Sequence, residues 1–456
     1  MSGLQQKKRR KPYEQKFLWD DCCSEPFVAS CSDESPTVED GLLDEILEQR
    51  NLRRALKRVR RNKGAPGVDG MIVKELGGYL RRHWPKIKAA IVEGRYRPLP
   101  VRRKETNKPD GSGVRLLGIP AVVDRFIQQA VAQVLSELWE PVFSDSSFGF
   151  RPGRSQHKAV FRAQEYVRAG YRYVVDIDLS KFFDRVHHDR LMSRLATRVK
   201  DARVLKLVRA FLESGVMVGG LTKPTDEGVP QGGPLSPVLS NIVLDELDKE
   251  LERRGHRFLR YADDIVIYVR SKRAGERVLG SISRFLTRRM RLEVNTAKSG
   301  VNRPWDSNLL GFTFTNSVEN PRIRLHWKTV KRLKERIREL TGRSCGRSLQ
   351  RVIRDLMAYL RGWWNYFGII QSRNRLRGLR GWIHRRLRAL LWKQWKRPKT
   401  RARELMRRGI SKAYAHRVGA ARKGPWRMSQ VKWVAFALPG HYFESLGFGI
   451  PWSSSA

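Results

Sequence analysis

The amino-acid sequence predicts an α+β fold that gives way to an all-helical region, and three observations support this prediction. Apolar residues recur at helical spacing over most of the chain. Short apolar stretches near residues 99–119, 173–177 and 258–269 interrupt this pattern and border turns or acidic residues, which is typical of strands. Beyond about residue 328 only helical spacing remains. Helices interleaved with a few strands are characteristic of an α+β core.

The elements are taken in order from the N-terminus. Residues 1–36 mix charged residues, cysteine and serine without periodicity, which predicts a poorly ordered basic and polar arm. The segment 37–40 resembles a capping box, and the apolar positions between Leu42 and Val59 predict one helix with a basic outer face. The glycine-rich loop at 62–70 that follows either lets the backbone approach a ligand closely or is a plain linker.

Two strand-like stretches, 99–103 and 114–119, flank a turn at 108–113 and predict a β-hairpin with basic residues near its tip. Helical spacing resumes over 124–138, and an apolar strand at 173–177 runs into Asp178.

The region after residue 328 contains three amphipathic patterns, at 330–340, 349–367 and 376–390. They predict three helices that pack as a bundle with arginine on their outer faces. The composition shifts again after Pro398, which indicates a small terminal module.

Charge points to a polyanionic partner. The 456 residues include 92 Lys+Arg and 45 Asp+Glu, which gives a net charge of +47. Dispersed arginine with interleaved aromatic residues favours nucleic acid over an acidic membrane. Residues 321–440 hold 34 Lys+Arg against 4 Asp+Glu, so we expect the C-terminal third to form the main polyanion-binding surface.

The sequence predicts neither a disulfide framework nor a zinc site, because its four cysteines, Cys22, Cys23, Cys31 and Cys345, lack the necessary spacing and histidine partners. No apolar run reaches the roughly 18 residues of a membrane span, and no apolar signal core follows the basic N-terminus. We therefore expect a soluble protein of a reducing, intracellular compartment, with no membrane partner.

Two adjacent carboxylates, Asp263 and Asp264, lie in a turn between apolar stretches, after Tyr261 and Ala262. Such a turn either caps a buried hairpin or binds a pair of magnesium ions, which prefer oxygen ligands. A two-metal site needs a further carboxylate from a neighbouring strand. Asp176 and Asp178 both qualify, and they share one face of a strand, so alternation alone does not choose between them.

The run Asp-x-x-x-x-Phe-Asp from Asp178 to Asp184 resembles the first carboxylate motif of reverse transcriptases. The resemblance selects Asp178, and with it Asp263 and Asp264, as the catalytic, metal-binding carboxylates. It implies two Mg²⁺ ions, for which Mn²⁺ can substitute. It also implies that Phe183 is a steric gate against a 2′-hydroxyl.

Further pieces occur in the order that this family has. Gln231, 53 residues after Asp178 and 32 before Asp263, lies in a Pro-Gln-Gly motif that resembles the family's loop facing the template–nucleotide pair. Lys298 resembles the family's lysine near the triphosphate, and 310–312 resembles its primer-supporting segment.

The stretches 62–70, 96–100, 113–120 and 148–155 resemble the bacterial group II intron reverse transcriptases, the intron-encoded maturases. The resemblance covers about residues 40–395. It implies a right-hand polymerase, with fingers and palm over 37–315 and an all-α three-helix thumb, or maturase domain, over 316–398. Lys108 and Arg115 on the fingers hairpin would hold the triphosphate of a deoxynucleotide.

The C-terminal residues 399–456 look like the short DNA-binding module of family members that lack an HNH endonuclease, because cysteine pairs are missing there. The resemblance implies intron RNA or another RNA template, a DNA primer and target DNA as partners, in a nucleoprotein of the bacterial cytoplasm. Its expected nucleic-acid contacts are Arg361, Trp363, Arg373, Arg375, Arg377, Arg380, Arg385, Arg388, Arg401, Arg407 and Arg408.

Three hypotheses for function result. The first is an intron-encoded RNA-directed DNA polymerase that also assists splicing and copies its RNA during retrohoming. The second is mainly an RNA-binding splicing cofactor. The third is a domesticated relative that works in phage defence, CRISPR spacer acquisition or repair; such relatives often change the alanine of the Tyr-Ala-Asp-Asp turn or carry fused domains, and this chain does neither.

Overall fold

The structure is a computed structural model that describes residues 41–107, 113–218, 221–223, 227–229, 232–317, 319–344 and 346–452. Helices and strands are mixed, as the sequence predicts. The chain divides into two compact units. The first comprises the described residues of 1–155, 176–267 and 276–300, and the second those of 156–175, 268–275 and 301–456.

The helices of the described chain are α1 Leu42–Ile46, α2 Gln49–Asn62, α3 Leu76–Val92, α4 Val122–Trp139, α5 Gln156–Arg168, α6 His188–Ala196, α7 Ala202–Leu212, α8 Ser236–Arg253, α9 Lys272–Arg288, α10 Trp327–Leu340, α11 Leu349–Phe367, α12 Leu379–Gln394, α13 Pro398–Met406, α14 Lys412–Gly419, α15 Pro425–Met428, α16 Lys432–Ala437 and α17 Gly440–Ser445. The strands are β1 Val101–Asn107, β2 Val114–Ile119, β3 Tyr173–Ile177, β4 Val216–Val218, β5 Leu221–Lys223, β6 Arg257–Tyr261, β7 Asp264–Val269, β8 Gly300–Asn302, β9 Phe312–Phe314 and β10 Ile323–Leu325.

The predicted hairpin is present in the first unit. β1 and β2 pair antiparallel, with Arg102 opposite Ile119 and Asn107 opposite Val114. β4 joins the other edge of β1 in parallel, so the sheet has the order β2-β1-β4-β5. The turn of the hairpin, with Lys108, lies outside the described residues.

The predicted single helix from 42 to 59 is two helices. α1 ends before Leu47, and Glu48 is extended (φ −61°, ψ 140°) ahead of α2. Leu43 is fully buried, and its backbone N–H donates to Asp201 Oδ2 (3.1 Å). Helical spacing of apolar residues continues through this break, which is why the sequence pattern does not reveal it.

A second four-stranded sheet has the order β6-β7-β3-β8. Phe258, Leu259 and the run from Ile265 to Val269 are buried, because both faces of these strands are covered. β6 and β7 are neighbours joined by only two residues, Ala262 and Asp263. This connection brings the acidic turn to the end of the sheet.

The second unit contains the three predicted helices as α10, α11 and α12. Leu333, Ile337, Leu356, Leu360 and Leu387 are fully buried, so their apolar faces form a core. Ser348 caps the N-terminus of α11, since its Oγ accepts from the Arg351 N–H (3.3 Å). Five shorter helices, α13 to α17, follow. None of the described helices is long and apolar enough to cross a membrane.

Candidate active site

The turn between β6 and β7 is held in an unusual backbone conformation. Ala262 has a left-handed φ of 56° and is buried. Residues other than glycine pay roughly 1–3 kcal/mol for such backbone, which persists only where surrounding contacts fix it. Asp263 is half-buried and Asp264 is exposed, so both side chains can meet a ligand.

A fully buried arginine lies directly under this turn. Arg260, on β6, forms a bidentate ion pair with the equally buried Asp248 of α8, with Nε 2.8 Å from Oδ1. The guanidinium also donates to Asn241 Oδ1 (2.8 Å), Ser147 Oγ (2.8 Å) and the carbonyl oxygen of Ala262 (3.2 Å). The last contact ties the network to the residue with the strained φ.

The segment around Gly149 packs against the same turn. The Phe148 N–H donates to the Arg260 carbonyl (2.8 Å), and Asn241 Nδ2 donates to the Gly149 carbonyl (2.8 Å). A Cβ at Gly149 would clash with the backbone nitrogen of Ala262. Gly149 is therefore needed for close approach of two backbones.

Asp178 follows β3 and is held by the 295–299 segment. Its backbone N–H donates to Ser299 Oγ (3.0 Å), and its carbonyl accepts from the Asn295 N–H (2.9 Å). Lys298 Nζ lies 3.9 Å from Asp178 Oδ2. Asp178 and Lys298, each a separate prediction from the sequence, thus lie at ion-pair distance.

The carboxylates of the site influence one another. Desolvation and, after it, the negative charges of Asp263, Asp178 and Asp176 raise the pKa of Asp264 from 3.8 to about 6. The Asp264 side chain is nevertheless exposed, so solvent or a cation can reach it. β7 neighbours β3 in the sheet, so Asp264 at the start of β7 and Asp178 just after β3 come from adjacent strands.

The candidate donors are carboxylate oxygens, the ligand type that hard divalent cations prefer. Within the described ranges, no group of three or more His, Cys, Asp or Glu is arranged to hold a metal ion by itself. Mg²⁺ is commonly bound through one or two carboxylates together with substrate phosphates and water. The residues present match that type of site.

Of the other residues predicted to contact the nucleotide, two lie within the described residues and two lie outside them. Phe183 is half-buried in the short 3₁₀ turn 182–184, and its carbonyl accepts from the Val229 N–H (2.6 Å). Arg115 lies in β2, paired with Thr106 of β1. Gln231, like Lys108, lies outside the described residues.

The predicted nucleic-acid contacts of the second unit divide into two groups. One group is exposed: Arg361, Arg373, Arg377, Arg380 and Arg407. Members of the other group are half-buried and form intramolecular contacts: Arg375, Arg385, Arg388, Arg401 and Arg408.

Trp363 requires a correction. Only 9% of it is exposed, and its ring packs on Phe367 and Trp452 at centroid distances of 4.7 and 5.8 Å. The expected RNA contact at this residue is wrong, because the aromatic face that would stack on a base belongs to the core.

Sequence reasoning missed the supporting network of Arg260, Asp248, Asn241 and Gly149. One signal was available: Arg260 directly follows the apolar pair Phe258 and Leu259 and lies next to the acidic turn. Asn241 and Asp248 are seven residues apart, which places them on one face of α8. Their partners come from distant parts of the chain, which spacing cannot reveal.

Two protein-family models match the chain. "Reverse transcriptase (RNA-dependent DNA polymerase)" matches residues 106–314, and "Group II intron, maturase-specific domain" matches residues 330–409. All of the acidic site residues lie within the first match.

Curated relatives agree with these models. Protein YkfC of Escherichia coli strain K12 is 40% identical over 199 residues, covering 42% of this chain and 52% of the relative. Group II intron-encoded protein LtrA of Lactococcus lactis subsp. cremoris is 38% identical over 188 residues, covering 41% of this chain and 31% of the relative. The matched part thus spans about half of the first relative's length and about a third of the second's.

A solved structure titled "Partial Cas6-RT-Cas1--Cas2 complex" aligns with a TM-score of 0.35 and 23% identity, covering 54% of this chain and 42% of that chain. A likeness this weak carries no inference about function.

Proposed function

Because this chain belongs to the group II intron reverse transcriptases and maturases, we propose that it is an RNA-directed DNA polymerase that also binds intron RNA and assists its splicing. Its substrates would be an RNA template, a DNA primer and deoxynucleoside triphosphates. During retrohoming it would copy the intron RNA at target DNA, in a nucleoprotein of the bacterial cytoplasm.

The observation that carries this proposal is that Asp178 follows β3, while Asp264, preceded by Asp263, begins the neighbouring strand β7. Two of them come from the turn after β6 and the third follows β3, so separate elements supply the ligands. The raised pKa of Asp264 reflects the charges of the other two, after desolvation. Carboxylates from adjacent strands, with Lys298 beside them, fit nucleotidyl transfer better than an acidic turn that only caps a hairpin.

Asp178 and Asp263 would hold the divalent ions, with Asp264 as the third carboxylate. Two bound ions, Mg²⁺ or Mn²⁺, would lower the pKa of the primer 3′-hydroxyl and neutralise the triphosphate and the leaving pyrophosphate. The chain's own contribution is geometric: Arg260, Asn241 and Gly149 fix the turn, and Ser299 and Asn295 fix the backbone of Asp178.

Further residues would position the nucleotide. Lys298 would pair with the triphosphate, a charge-assisted contact that suits an exposed ammonium group. Phe183 would exclude a 2′-hydroxyl, and Gln231 would face the template–nucleotide pair. Lys108 and Arg115 on the hairpin would bind the triphosphate oxygens.

The RNA-binding part of the proposal involves the second unit. Residues 37–315 would form fingers and palm, 316–398 the thumb, and 399–456 the DNA-binding module. Arg361 on α11, together with Arg373 and Arg377 between α11 and α12, is exposed. These arginines would contact RNA phosphates, since structured RNA is bound mainly through its backbone and unpaired bases.

The test is extension of a DNA primer on an RNA template by the purified chain, with Mg²⁺ present or absent. Asp263→Asn and Asp178→Asn should each abolish extension yet retain RNA binding, because each removes one carboxylate charge and changes no phosphate-binding cation. Asp189→Asn is the matched control. Asp189 is an exposed carboxylate of the same unit, paired with Arg209 (2.9 Å), and its loss should leave extension unchanged.

Robust synthesis by Asp263→Asn would refute the catalytic assignment. Loss of extension together with RNA binding would instead indicate misfolding. If the wild-type chain binds RNA but never extends a primer with Mg²⁺ or Mn²⁺, the chain is a splicing cofactor and the polymerase proposal fails.

A further inference from the structure

The short helices α14 and α16, beyond both matched family models, carry an exposed aromatic cluster. Phe436 is 64% exposed, the largest value for any large apolar side chain in the described chain, and Tyr414 is 45% exposed. The Tyr414 ring stacks on Trp433, with a centroid distance of 4.4 Å and an interplanar angle of 29°. We call these three residues the aromatic platform.

The platform does not belong to the core of its own module. On α14 the buried residues are Ala415, Val418 and Gly419, and on α16 they are Val434 and Ala437. Tyr414 and Phe436 therefore project away from the buried faces. Phe436 follows Trp433 by three residues, so both lie on one side of α16.

The chain segment that carries the platform is basic. Residues 405–443 contain eight Lys+Arg and no Asp or Glu. Lys412, Arg417 and Lys432 are exposed, and Lys432 Nζ lies 5.5 Å from the Trp433 ring centroid. In the described chain none of these three cations forms an ion pair with an acidic side chain.

We propose that the aromatic platform binds unpaired bases of a single-stranded nucleic acid, while Lys412, Arg417 and Lys432 contact its phosphates. Exposed rings within a cationic surface are how proteins bind single strands without reading sequence, because every base offers a π-face. One face of Tyr414 is covered by Trp433, so a base would extend that stack from the other face. The inference rests on the proposed function only in assuming a nucleic-acid substrate.

Charge argues against a second copy of this chain as the ligand. An apolar cluster that docks a second copy of this chain would bring two surfaces of the same positive sign together, which is unfavourable. A polyanion with flat apolar bases matches both the charge and the rings.

The test uses the full chain and photocrosslinking. Single-stranded 12-mers that contain 5-iodouracil, one of DNA and one of RNA, are bound and irradiated, and adducts are mapped by peptide mass spectrometry. Adducts are expected on Tyr414, Trp433 or Phe436, and comparison of the two oligonucleotides identifies the preferred strand. A duplex of the same sequence should give fewer adducts there.

Leucine variants separate stacking from general apolar contact. Tyr414→Leu and Phe436→Leu keep apolar bulk but remove the ring, and each should lower binding of the single strand roughly five- to 150-fold per stacked base. The slope of log K against log salt should not change, because no cation is removed. Tyr414→Trp should restore binding. Phe161→Leu, an exposed phenylalanine of α5, is the control that should have no effect.

Adducts found only outside residues 411–437 would overturn the proposal, as would leucine variants that crosslink like the wild type. Loss of self-association in sedimentation with crosslinking unchanged would assign the platform to a second copy instead. Primer extension is measured in parallel on each variant. An inactive wild-type chain that still crosslinks at the platform would refute the polymerase proposal alone.

Discussion

The buried ion pair of Arg260 and Asp248 supports the sharpest prediction about this molecule. Asp248→Asn would leave the Arg260 guanidinium without a counter-charge at a site that solvent does not reach, since neither side chain is exposed. All five N–H groups of Arg260 now have acceptors: Asp248, Asn241, Ser147 and the Ala262 carbonyl. Removing one partner of a buried pair costs about 3–5 kcal/mol, mostly because the remaining charge is uncompensated.

The magnitude translates into a measurable change in thermal stability. A loss of about 3–5 kcal/mol lowers Tm by roughly 6–20 °C in domains of about 150–250 residues. Scanning calorimetry of Asp248→Asn should show this shift in the transition that unfolds the first unit, which contains the pair. Arg253→Gln, an exposed arginine on the same helix that pairs with Glu250, should give no measurable shift.

A double-mutant cycle tests the reason for the loss. Arg260→Met combined with Asp248→Leu replaces both charges by apolar groups, so the double variant should be more stable than the sum of the single changes predicts. The double variant still lacks the bond to the Ala262 carbonyl, and so primer extension should stay impaired after stability recovers. A Tm for Asp248→Asn within about 2 °C of the wild type, or purely additive effects in the cycle, would refute the argument.

Two further predictions concern the first unit. Gly149→Ala should lower the rate of primer extension at least about tenfold and leave RNA binding unchanged, because the new Cβ would clash with the Ala262 backbone and a displacement of about 1 Å in a catalytic group can cost 100-fold in rate. Gly280→Ala is the control and should have no effect, since a Cβ there meets nothing within 4 Å. Equal activity of the two variants would contradict the close-approach role of Gly149. Burial raises the pKa of Asp124 to about 6, although the carboxylate accepts a hydrogen bond from the Tyr96 hydroxyl (2.6 Å), so the folded state binds this proton up to a higher pH than the unfolded state does. As pH rises from about 4 through 6, the wild type should therefore lose about 3 kcal/mol of its free energy of unfolding relative to Asp124→Asn. A difference between the two chemical-denaturation curves that does not change with pH would exclude this.

The sequence predicted those parts of the fold that depend on local patterns. The hairpin of β1 and β2 and the helices α10, α11 and α12 followed from spacing, because their apolar positions face one side and are buried. The acidic turn was also predicted, because two adjacent carboxylates between two apolar strands are typical of a turn.

Features that depend on distant partners could not be predicted. The glycine-rich loop at 62–70 packs against α4 and the residue before it. Arg125 of α4 donates to the Ala65 carbonyl (2.7 Å), and a Cβ at Gly67 would clash with Ala121. The sequence around Trp363 does not distinguish a buried tryptophan from an exposed one. Its ring is buried because it packs on Trp452, which lies 89 residues further along the chain.

The pKa of Asp264 changes in the opposite direction to the pKa of carboxyl groups that pair with arginine elsewhere in this basic chain. Hydrogen bonds from arginine lower the pKa of Glu250 to about 2, and arginine also lowers that of Glu404. Asp264 shows the opposite: desolvation and, after it, the charges of other carboxylates raise its pKa. Carboxylates that raise one another's pKa are stabilised by positive charge placed beside them. Lys298 supplies one such charge at Asp178, and divalent cations shared with a triphosphate would add more.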